Sequence, residues 1–99
     1  MSRYSISQPA IRDLESISAY FAGVNVEAGE KFLQGFNKRC QQLVSFPSIG
    51  RSYDDLETGL RGLPLDRYII LYRTMNDAIE IVRIINGRQD LGSLFDRPS

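Results

Sequence analysis

Hydrophobic and polar positions along the chain change period near its midpoint. From Arg3 to Ser7 they alternate, the pattern of a short strand. Ser7-Gln8-Pro9 then opens a helix, because proline suits a first turn in which its missing N–H goes unused. Ala10, Leu14, Ile17 and Phe21 recur at helical spacing with Arg12, Asp13, Glu15 and Ser16 on the other side, and Gly23 supplies a stop. Asn25 caps a second helix whose apolar stripe is Phe32, Phe36, Cys40, Leu43 and Val44, ended by Ser45-Phe46-Pro47. The short link from Gly23 to Asn25 folds the two helices into an antiparallel hairpin.

After a polar stretch from Ile49 to Thr58 the period shortens. Leu60 to Leu65, Tyr68 to Arg73 and Ile79 to Ile85 are rich in β-branched and aromatic residues and read as strands. Asp66-Arg67 makes the first turn, and Thr74 to Ala78, containing Asn-Asp, the second. Pro64 requires its strand to be short or near an edge, since proline cannot donate to a ladder. Gly87 ends the last strand, and Asp90 to Phe95 is expected to form a brief terminal helix. The chain thus reads as one α+β domain over residues 1–99: an N-terminal strand and a helical hairpin packed on an antiparallel meander.

Alternation also places the candidate chemistry. It sets Ile79, Ile81, Arg83 and Ile85 on one face of the last strand, Ile69, Leu71 and Arg73 together on the one before, and Arg61 with Leu63 and Leu65. In one register Arg61, Arg73 and Arg83 converge on one side of the sheet. Guanidinium groups held there need anions, which come either from a partner or from internal carboxylates such as Asp66, Glu80 or Asp90. Tyr68 and Tyr72 alternate with the arginines and face the helices.

Composition narrows the function. Twelve basic and twelve acidic side chains cancel, so the chain has no general pull toward nucleic acid, and no direct sequence-specific nucleic-acid binding is expected. Ten of the twelve cations are Arg, suited to forked pairing at interfaces. Histidine is absent and the one cysteine, Cys40, lies on an apolar stripe, so neither a metal site nor an internal disulfide is expected, and no cofactor is implied. No run approaches the roughly 20 apolar residues of a membrane span, and the start lacks a signal-peptide core, which together point to the cytoplasm. RNA cleavage needs a general base, and arginine, whose pKa lies above about 12, cannot serve. Glu80 shares a strand with Arg83 but points away from it.

In order along the chain, Ser-x-Pro-Ala with Asp13-Leu14-Glu15-Ser16-Ile17, then Leu43 to Arg51 carrying Phe-Pro-x-x-Gly-Arg, Gly59-Leu60-Arg61, Arg67-Tyr68, Tyr72-Arg73, Glu80 to Ile85 and Gly87 to Leu91 resemble the ParE branch of the RelE/ParE toxins. The resemblance spans nearly the whole chain. It implies a toxin of a type II toxin–antitoxin system, of the kind tied to plasmid maintenance and growth inhibition, neutralised in a hetero-oligomer by a ParD-like ribbon-helix-helix antitoxin. It also implies DNA gyrase as the target; the alternative within the superfamily is a RelE-like ribosome-dependent endoribonuclease. Asn86 stands where ParE toxins often carry His before the late glycine. The residues expected to meet a partner are Arg61, Arg73, Arg83 and Arg88, with the tail from Leu91 to Phe95 a further candidate.

Overall fold

A computed structural model describes residues 3–88. The elements run β1 (Tyr4–Ile6), α1 (Gln8–Val24), α2 (Val26–Ser45), β2 (Arg51–Ser52), β3 (Arg61–Leu65), β4 (Tyr68–Met75) and β5 (Ala78–Asn86). The terminal helix expected over Asp90 to Phe95 lies outside the described residues.

The Ser7 side chain caps α1 by accepting from the Ala10 amide, with Pro9 in the first turn. α1 runs past Gly23 to Val24. Asn25 then closes one helix and starts the next: its amide donates to Phe21 O, and its side chain accepts from the Ala28 amide. One residue therefore makes the link.

The sheet order is β1-β5-β4-β3-β2. β3, β4 and β5 form the expected antiparallel meander, but β1 runs parallel to β5, so the sheet is mixed. Alternation along a strand says nothing about which strand becomes its neighbour. The polar stretch also holds more order than its composition indicates, because Arg51 and Ser52 pair with Gly62 and Arg61 as β2. β2 stops there, which leaves Pro64 on an edge of β3, as a residue without an N–H requires. Asn76 and Asp77 both take left-handed backbone angles, φ 50° and 64°, the geometry of a tight hairpin turn.

The hairpin covers one face of the sheet. Ala10, Ile17, Phe32, Phe36, Cys40 and Leu43 pack on Leu65, Ile70, Tyr72, Ile79, Ile81 and Ile84. Phe32 meets Tyr68 edge-on at 5.1 Å. On the opposite face Leu60, Leu71 and Ile85 form a smaller cluster with Tyr53, Leu56, Ile69 and Val82.

Strict alternation fails once, at a β-bulge. Leu71 pairs with Arg83 and Tyr72 with Ile81, so Val82 is the extra residue. Ile79 and Ile81 face the helices, as does Ile84 three positions on, while Ile85 faces away. The expected common face for Ile79, Ile81, Arg83 and Ile85 is broken there.

Candidate functional site

The three sheet arginines do not converge. Arg61 lies opposite Tyr72 and so on the helix side of the sheet. Arg73, one residue from Tyr72, projects from the other face. Arg83 follows the bulge and reaches round the β5 edge to α1. The register of β3 against β4 separates Arg61 from Arg73, and the bulge sets Arg83 opposite Leu71 and so away from Arg61.

Each of the three is held within the fold. Arg83 Nε and Nη2 donate to the two Asp13 carboxylate oxygens at 2.7 and 3.0 Å, and Asp13 Oδ2 also accepts from the Ile84 amide at 2.9 Å. That hydrogen bonding raises the Arg83 pKa, against a smaller lowering by burial. β1 pairs only as far as Ile81, and beyond it α1 supplies the missing partners: Ser7 Oγ donates to Val82 O and Asp13 takes the Ile84 amide. Arg73 Nη1 donates to Glu57 at 2.9 Å, and its Nε lies 3.3 Å from Glu80, close enough for charge pairing but without hydrogen-bond alignment. Glu80 was an expected internal partner; Asp13 and Glu57 lie too far away in sequence for any local spacing to reveal them.

Arg61 does something different. Its Nη1 donates to the carbonyls of Ser48 and Gly50, at 3.3 and 2.8 Å. Tyr72, fully buried in the core, donates its hydroxyl to Pro47 O at 2.7 Å and accepts from the Gly50 amide at 3.0 Å. Burial raises the Tyr72 pKa, partly offset by the Gly50 amide and by Arg61. Four hydrogen bonds thus fix the backbone of residues 47–50. Gly50 is required by that closeness, since a Cβ there would sit 2.6 Å from the Tyr72 hydroxyl and 2.8 Å from Gly62 O. Nevertheless Phe46 is 64% exposed and Ile49 48%. Arg51 follows, stacked 5.1 Å over the Tyr53 ring.

A second surface lies at the other end of α2, whose 20 residues span about 30 Å. There α1 and the β3–β4 turn border a groove of about 700 Å³ lined by Ile17, Tyr20, Val24, Arg67, Tyr68 and Asn86, among others. Tyr20 and Val24 are more than half exposed. Gly87 donates to Arg67 O, which ties the end of β5 to this turn and sets Arg88 close by. Among the described residues neither Arg67 nor Arg88 has a carboxylate partner. No helix among them is long and apolar enough to cross a membrane.

Comparison with known proteins fits this architecture. A family model described as the ParE toxin of the type II toxin–antitoxin system parDE matches residues 4–91. The chain is 29% identical over 94 residues to Toxin ParE3 of Caulobacter vibrioides, covering 94% of each. In fold it is similar to a chain of the chromosomal ParDE toxin–antitoxin system of P. aeruginosa, with TM-score 0.71 and 22% identity over 87% of this chain and 95% of that one. The motifs, the hairpin on its sheet and a family match across most of the chain agree: this protein belongs to the ParE toxin family of type II toxin–antitoxin systems.

Proposed function

We propose that the chain arrests growth from the cytoplasm by acting on DNA gyrase as a protein inhibitor, and that a ParD-like ribbon-helix-helix antitoxin silences it in a hetero-oligomer. The observation that favours this over RNA cleavage is how the cationic side chains are used. Arg73 and Arg83 are tied to carboxylates of the same chain, and Glu80 to Arg73. Cleavage would need a free base and a free cation side by side at the phosphate.

The groove suits the antitoxin. Its lining is largely apolar and includes Arg67, Arg88 follows just beyond it, and among the described residues neither has a carboxylate partner, features that an amphipathic segment ordering on binding needs. Of the four arginines expected at an interface, Arg88 is the one assigned to this groove.

DNA and protein synthesis, pulse-labelled within minutes of inducing the chain without antitoxin, test the target. DNA synthesis should fall first, and purified protein should inhibit gyrase supercoiling. An earlier fall in protein synthesis would replace gyrase with the ribosome.

A further inference from the structure

The loop at the far end of α2 has the build of a contact surface. Ordering a flexible loop when it binds costs free energy, so loops that bind well are fixed beforehand. Here the fixing comes from the interior: Tyr72 and Arg61 reach out to four backbone groups of residues 47–50. A buried tyrosine hydroxyl is costly unless bonded, and both of its bonds are spent on this loop. Yet the side chains that the loop displays, Phe46 and Ile49, point into solvent. A loop held only for packing would turn them inward.

Three arginines near it carry no carboxylate partner, while Asp54 and Asp55 stand exposed on the turn beyond β2. Arg51 stacks on Tyr53, Arg61 donates to neutral carbonyls, and Arg39 Nε donates to Pro64 O, about 10 Å further along β3. Among the described residues none of these three pairs with a carboxylate. A carbonyl dipole leaves a guanidinium its full charge, so the row attracts an anionic surface. Aromatic and arginine side chains around an apolar centre are the composition of protein–protein hot spots.

We propose that residues 46–51 form the surface by which this toxin grips the protein it inhibits, and that the patch it takes is acidic with an apolar recess for Phe46 and Ile49. The proposal rests on the toxin reading above. It separates target and antitoxin onto opposite ends of α2, so that neutralisation works through the assembled complex and not by covering this loop.

The test is growth arrest by Phe46→Ala/Ile49→Ala and, separately, Arg51→Glu, each expressed without antitoxin. Both should leave at least about tenfold more survivors than the wild-type chain, the order of effect carried by central interface contacts. Melting temperature, mass by light scattering and capture by a ParD-like antitoxin should not change. Arrest equal to wild type overturns the proposal. So does lost antitoxin capture, which would give the loop to the antitoxin, or an altered mass, which would give it to a second copy. If the double variant melts lower, Arg51→Glu decides. A wild-type chain that does not arrest growth overturns the toxin reading itself, and the proposal with it.

Discussion

Asp13 accepts three hydrogen bonds, two from Arg83 and one from the Ile84 amide. Asp13→Ala leaves a half-buried guanidinium and a strand amide without partners, so it should cost about 2–3 kcal/mol in urea unfolding. Arg83 has its pKa raised, so the sign is that of a cation whose contribution holds at all lower pH and fades only as pH rises through that raised value. The basic member of the clasp therefore stays charged throughout the ordinary pH range. Cys40, by contrast, should become an alkaline liability. Burial pushes its thiol from 9.0 up to about 12, and stability tied to the neutral thiol is present below pH 9 and lost as pH rises toward 12. Thiol reagents at pH 8 should leave it unlabelled in the folded chain and label it fully in urea. The apolar character of Cys40 was legible from its place on a helix stripe. The Asp13–Arg83 pair was not, because it joins residues 70 positions apart across the end of a strand.

Among the elements, Asn25 has two jobs at once, so Asn25→Ala should loosen the hairpin by about 1 kcal/mol or somewhat more, read as a lower denaturation midpoint with unchanged slope. Helices, turns and the three meander strands could be read from periodicity because each depends on neighbours in sequence. Two features could not. The parallel seat of β1 depends on a strand more than 70 residues away, and the Val82 bulge shifts the facing of everything after it by one. The three arginines share no single face because the β3–β4 register sets Arg61 opposite Tyr72, and alternation within a strand does not fix register. Composition likewise hides that residues 51–57, within the polar stretch, hold a strand and two members of the outer cluster.

For the molecule as a whole, the core and the displayed loop are mechanically one. Tyr72→Phe removes the pin while keeping the packing, so the fold should persist at a cost of about 1–2 kcal/mol. The Gly50 amide should then exchange with solvent much faster than in the wild-type chain, whereas the amides of β5 should not. The Asp13 carboxylate has a meaning at this scale too. Its partner amide on β5 lies just where β1 gives out, and a row of free amides there is an invitation for another molecule to add a strand and then another. Asp13 occupies the first open amide, so Asp13→Ala should seed thioflavin-binding fibres at concentrations where the wild-type protein stays clear.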